Sequence, residues 1–169
     1  MPRELLILRH AKSDWDSLAV TDFDRPLTER GKHDAPKIGA WLLREGLVPD
    51  HVVSSPAERA RQTAVKVCKA LGIDKGAIVW DPEVYGATRG ALLGVLGRCP
   101  PGASRVLLIG HNPGLEDLLE HLCGDALELA DDGKLLATAT LARLEMPADW
   151  VGSAPGSARL LSIIRPRNL

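Results

Sequence analysis

Cysteine is scarce in this chain. Cys68, Cys99 and Cys123 are odd in number, widely spaced and form no CxxC pair. That pattern argues against a disulfide framework and implies reduced thiols in a cytosolic protein, each packed as a small hydrophobe. Long apolar runs are missing too. No stretch approaches the ~18 apolar residues of a membrane span. The four apolar residues after Met1-Pro2-Arg3-Glu4 fall short of the ~7–15-residue core of a secretory leader. A soluble, cytoplasmic protein is expected. Neither sign of charge is in excess: 21 Lys and Arg against 22 Asp and Glu leave a net charge of −1. No global field therefore recruits nucleic acid or an anionic membrane, and any anion must be handled by a local site. No G-x-G-x-x-G follows the first apolar run, which removes a dinucleotide-binding role. Asp14, Asp16, Asp22 and Asp24 match neither EF-hand nor zinc spacing and read as solvated loop charges. No metal or other cofactor is expected. Repeats, low-complexity tracts and domain linkers are absent as well.

What is present suits one domain over residues 1–169, large enough to bury roughly two-thirds of its unfolded surface. Residues 5–8 are continuously apolar, as in a strand covered on both faces. Residues 12–27 read as a long polar loop. A helix is expected from Thr28, with Ala35, Ile38, Trp41 and Leu42 on one face and with Pro36 delaying or kinking its start. "HVVSS", 51–55, is a second strand. The helix after it is expected to use Ser55 as N-cap, Pro56 at its first position and Glu58 in a capping box. Strands are expected at 77–80 and 104–111. Helices are expected at 88–98 and after Asn112-Pro113. A final hairpin-like pair falls at 137–146 and 158–166. The alternation implies an α/β fold: a three-layer α/β/α sandwich with a mostly parallel central sheet and helices on both faces.

In such folds, ligands sit at the carboxyl ends of the strands. Arg9 and His10 follow the first strand. Ser54, Ser55 and, one turn on, Arg59 follow the second. His111 and Asn112 follow the fourth. Two imidazoles and two guanidiniums therefore meet at one edge. Arg59 falls in a first helical turn, where the dipole disfavours a cation unless an anion lies between them. Guanidinium matches phosphate oxygens in a bidentate fork. The chemistry indicated is phosphoryl recognition with an imidazole nucleophile. Arg61 is turned away from Arg59 and is given a structural or rim role. His33, His51 and His121 lie in or beside helices and read as structural or surface residues.

Taken in order, "LRHAKSDW", "SSPAERARQTA" and "GHNPGLEDL" resemble the histidine phosphatase superfamily over residues 5 to about 123. The form "RHAKSDW" with "DRPLTERG" is most similar to its SixA-type phosphohistidine phosphatase branch. The resemblance implies a phosphoglycerate mutase-like fold and a metal-independent reaction. It makes His10 the nucleophile, Arg9 and Arg59 the clamp on the phosphoryl oxygens, and His111 a phosphate contact that stabilises the transferring group. Ser13 matches a phosphate-contacting serine. Lys12 and Asn112 are candidate substrate contacts. Ala11 stands where the family has glycine, so the turn after His10 must tolerate a Cβ. Asp16 stands where many mutase relatives have asparagine.

A general acid would protonate an ester leaving group. Glu83 is the first candidate, ahead of Asp81 and Asp16. The expected function is hydrolysis of phosphohistidine in a protein, such as a phosphotransfer or phosphorelay domain, through a phosphorylated His10. Only about thirty residues separate the third strand from His111, little material for a lid, which favours a protein substrate. The alternatives are a phosphomonoesterase or phosphoglycerate mutase-like enzyme acting on a small metabolite, and a non-catalytic phosphate-binding module.

Overall fold

A computed structural model describes residues 3–124 and 135–169; Met1 and Pro2, which head the segment compared with a leader, lie outside them. The elements are β1 (Arg3–Arg9), α1 (Glu29–Arg44), β2 (His51–Ser54), α2 (Glu58–Leu71), β3 (Ile78–Trp80), α3 (Arg89–Gly97), β4 (Arg105–Gly110), α4 (Gly114–Cys123), β5 (Leu141–Met146) and β6 (Arg159–Ile164). They build a six-stranded sheet in the order β3-β2-β4-β1-β5-β6. The first four are mutually parallel, whereas β5 runs antiparallel to both β1 and β6. The expected terminal hairpin pair is therefore the antiparallel edge of a mostly parallel sheet.

Period-two alternation sorts the buried strands between two cores. Leu6, Leu8, Leu107 and Ile109 pack with Ala35, Ile38 and Leu42 of α1 and with Ala60, Ala64, Val67 and Leu71 of α2. Leu5, Ile7, Val106 and Leu108 pack with Leu92 and Leu96 of α3 and with Leu115, Leu118, Leu119 and Leu122 of α4. The result is the expected three-layer α/β/α arrangement. Cys68 and Cys99 are buried and Cys123 half-buried, all free, and burial pushes their thiols up to about 11. Among the described residues, no helix is long and apolar enough to cross a membrane.

Two local expectations are corrected. α1 is not delayed by Pro36: the Thr28 hydroxyl accepts from Gly31 N and sets the start, and the helix runs unbroken to Arg44. The α2 capping box does not form. The helix starts at Glu58 behind Ala57, without a side-chain cap. Glu58 instead pairs with Arg61 at 2.6 Å. The Ser55 hydroxyl, expected to cap, accepts from Ala57 N at 3.2 Å and turns to His111.

The carboxyl ends of β1, β2 and β4 are pinned side by side. His10 N donates to Gly110 O at 3.1 Å, and Ser55 N donates to Ile109 O at 3.0 Å. On the neighbouring layer, α1 and α2 approach closely at Gly39, where an added Cβ would stand 2.4 Å from the Val67 carbonyl oxygen. Gly39→Ala is expected to destabilise the protein by about 1–3 kcal/mol through overpacking, despite the helix-propensity gain of about 1 kcal/mol. Gly94→Ala, on exposed α3 surface with only the Arg98 side chain nearby, should stabilise. Urea unfolding of both variants measures the opposite signs.

Candidate active site

His10 leaves β1 and turns into the protein, 5% exposed. Its Nδ1 lies 2.7 Å from the Ala11 carbonyl oxygen. A carbonyl only accepts, so Nδ1 carries the proton and Nε2 keeps its lone pair. Burial is the main cause that drives the His10 pKa down to about 3, with His111, Arg9 and Arg59 adding to the shift. The imidazole is thus neutral across the physiological range. Ala11 accommodates its Cβ without strain: it is fully buried in the core against α1 and α2, and its φ is not in the left-handed region. Its amide donates to Thr63 Oγ1 at 3.0 Å, and the Thr63 hydroxyl donates to the Arg59 carbonyl at 2.7 Å. This relay ties the turn after His10 to the first turn of α2.

His111 follows β4, and its ring centroid lies 5.2 Å from that of His10. Its Nε2 is 2.8 Å from Ser55 Oγ. Ser55 also accepts from Ala57 N, and its hydroxyl keeps a proton and a second lone pair, so it can pair with either tautomer of His111. His111 Nδ1 is buried with no hydrogen-bond partner. Burial, with Arg59 second, lowers its pKa to about 4. The Tyr85 ring meets His111 edge-on, with centroids 5.5 Å apart.

These groups line a cleft of about 270 Å³ with Arg9, Lys12, Ser13, Asp22, Arg25, Arg59 and Asn112 among its walls. Arg9 donates to the Leu136 carbonyl at 3.2 Å, and Asn112 Nδ2 to the same carbonyl at 2.7 Å. Arg59, 6% exposed, donates to the Asp22 carbonyl at 2.8 Å and pairs with its carboxylate at 3.0 Å. Ser13 is buried, and its Oγ accepts from Arg25. The cleft thus gathers every residue expected to catalyse or bind except the three general-acid candidates, Glu83 first among them. That carboxylate is exposed, does not line the cleft, and is held by Arg98 at 2.7 Å; Asp81 shares the same arginine at 3.0 Å. Asp16 is exposed and also outside the lining. The general-acid expectation therefore has no geometric basis at these three positions. His33, His51 and His121 do not line the cleft, although His51 opens β2 rather than lying in or beside a helix; Arg61 also stays outside the lining and pairs with Glu58.

Three residues of the site escape the sequence reading. Arg25 stacks on Trp15, 3.6 Å from the ring centroid, and pairs with Asp22 at 3.1 Å. Tyr85, two residues past Glu83, donates its hydroxyl to Asp22 Oδ2 at 2.8 Å. Asp22 is the hub. Burial raises its pKa, but the Tyr85 hydroxyl, Arg25 and Arg59 outweigh this and hold it at about 2. Asp22 is exposed, as expected of the loop aspartates, but it is also ion-paired with Arg25 and Arg59; Asp14 and Asp24 brace local turns. The one available signal is Arg25, a lone cation followed by proline in an acidic loop.

The neutral histidines make stability depend on pH. Both folded pKa values lie below the unfolded value near 6.5, so the unfolded chain takes up protons first and stability falls as pH drops. Between about pH 7 and pH 5, each should cost about 2 kcal/mol. His51, also lowered chiefly by burial, acts in the same direction. Asp22 does not contribute in this window, since its stabilisation is lost only as pH falls toward 2. Denaturant unfolding at both pH values should show this fall, and His10→Gln should reduce it by about half.

Residues 5–82 match the family model of the histidine phosphatase superfamily, branch 1. An uncharacterized protein of Mycobacterium tuberculosis is 32% identical over 164 residues, covering 95% of this chain and 100% of that protein. The crystal structure of an Agrobacterium tumefaciens protein provisionally designated phosphohistidine phosphatase SixA superposes with a TM-score of 0.79 at 31% identity, covering 98% of this chain and all of that one. A Nakamurella protein with the same provisional designation gives a TM-score of 0.82 at 32% identity, over 98% and 97% of the two chains. The fold is therefore phosphoglycerate mutase-like, and the chain belongs to the histidine phosphatase superfamily, in its SixA-type branch.

Proposed function

We propose that this phosphatase hydrolyses phosphohistidine carried by a protein, in two transfers through His10. The observation that carries the reading is the His10 imidazole itself. Its proton is committed to the Ala11 carbonyl, and Nε2 offers a lone pair beside three cleft arginines. In the first transfer, Nε2 attacks phosphorus while the substrate's P–N bond breaks. The departing imidazole, protonated on its other nitrogen, keeps the bond's electron pair and leaves neutral. In the second, water attacks phospho-His10, releases inorganic phosphate and returns neutral His10. Arg9, Arg59 and Arg25 hold the equatorial oxygens, with Ser13, Asn112 and Lys12 at the margins. His111, which also lines the cleft, stabilises the charge that builds on the transferring group. No step requires a metal.

The missing acid supports this substrate class. Asp22 is the only carboxylate lining the cleft among the described residues, and at a pKa of about 2 it has no proton to give near pH 7. An alkoxide leaving group needs that proton; imidazole, whose conjugate acid ordinarily titrates near pH 6.5, leaves far more easily. The rim supports a macromolecule. Trp15, Leu18 and Val20 stand at 74%, 101% and 95% exposure on the loop beside the cleft. Between β3 and His111, the chain folds into α3 against the core rather than over the opening.

The discriminating measurement is kcat/KM across a phosphohistidine protein, a sugar phosphate and an aryl phosphate. A preference of a thousandfold or more for the first, about 4 kcal/mol of discrimination, is expected; equal or better turnover of the sugar phosphate would replace this reading with the small-metabolite one. His10→Ala should lose at least about a thousandfold in kcat. Acid-labile, base-stable phosphate should be trapped on wild-type enzyme and not on that variant. Its absence from the wild type would sink the covalent step. Arg25→Gln, which removes charge-assisted hydrogen bonds, should lower kcat/KM by roughly 10- to 100-fold.

A further inference from the structure

A second cavity, of about 280 Å³, opens beside the cleft. The face of α1 supplies Arg30, Asp34 and Lys37, and the turn after β6 supplies Arg165 and Arg167. Its floor is the segment that enters β5, including Thr138 and Thr140. Four cations thus face one carboxylate, in a molecule whose net charge is −1. Asp34 is already shared between Arg30 at 3.4 Å and Lys37 at 4.0 Å. Arg165 and Arg167 have no ion pair among the described residues. Arg165 Nε and Thr140 Oγ1 are buried without a hydrogen-bond partner, and Thr140 is fully buried. Unsatisfied buried donors beside uncompensated positive charge cost free energy unless an anion completes them.

The cavity is not remote from the chemistry. Thr138 lines both it and the cleft. Ala139 N donates to the His10 carbonyl at 3.1 Å, and Arg9 N donates to the Thr140 carbonyl at 3.2 Å. One short, hydrogen-bonded wall therefore separates the two.

We infer that this cavity is a second anion subsite, taking a phosphate or carboxylate group of the same substrate whose phosphoryl group lies over His10. The inference rests on the cleft being the phosphoryl site, not on phosphohistidine being its substrate. The anion belongs either to an acidic side chain beside the phosphohistidine of a protein or to a second phosphate on a small molecule.

The test uses the full chain and the variant Lys37→Gln/Arg167→Gln, whose positions are partly or fully exposed, so that the substitutions leave the core untouched. Inorganic phosphate titrated into ¹⁵N-labelled wild-type protein should shift the amides of Thr138, Thr140 and Arg165 in a binding event separate from that at His10, and the variant should lose that event alone. In parallel, kcat/KM for a phosphohistidine protein and for a sugar bisphosphate are each divided by that for an aryl phosphate carrying no second anionic group. A fall of about tenfold or more in the first ratio supports the subsite with a protein-borne anion. A fall confined to the second supports the subsite with the anion on a small molecule, and leaves the protein-substrate reading to the kcat/KM panel. Phosphate binding with neither ratio changed means an adventitious ion only and overturns the inference, as does the absence of any second event.

Discussion

His10 is a buried imidazole whose one proton is committed to the carbonyl of the next residue. Burial makes its cation expensive, and His111, Arg9 and Arg59 make it more so. The ring therefore stays neutral, with its lone pair on the nitrogen away from Ala11. Much of the sheet edge serves that condition. β1 delivers the ring, β4 fixes its amide through Gly110, and Thr63 ties its turn to the helix that carries Arg59. In the proposed reaction, arginines that repel an imidazolium would attract a phosphoryl group, so the same charges that keep His10 unprotonated would bring it its target.

The strands, the helical faces and the meeting of Arg9, His10, Arg59 and His111 are legible in the sequence because each rests on a local rule. Double-sided apolar runs mean covered strands, and strand ends in parallel sheets converge at one edge. The residues that escape it depend on contacts made across the chain. Asp22 and Arg59 are 37 positions apart, Asp22 and Tyr85 are 63; no spacing rule joins them. Glu83 misleads for the same reason. Its position after β3 is legible, but its direction is decided by Arg98 just past α3, which no motif announces.

Ser55 shows a local rule overridden by a site. The sequence S-P-A-E has the form of a helix cap, and the hydroxyl would gain about 1 kcal/mol there. It is instead placed between the Ala57 amide and His111. Helix α2 starts without a side-chain cap, and His111 gains a hydrogen-bonding partner in exchange. Gly31 carries a similar constraint. A Cβ there would stand 2.2 Å from the Lys12 carbonyl oxygen, so the bare residue lets α1 press against the turn that follows His10.

Asp22 gives the cleft a resident counter-ion. Its carboxylate already sits between Arg25 and Arg59, on a loop exposed to solvent. An arriving phosphoryl group must share those guanidiniums rather than find them bare, and a departing phosphate leaves behind charges that are already answered. The clamp is thereby softened in both directions. An enzyme whose product is itself a phosphate gains from that softness, because a grip strong enough to hold every oxyanion would hold the product as well.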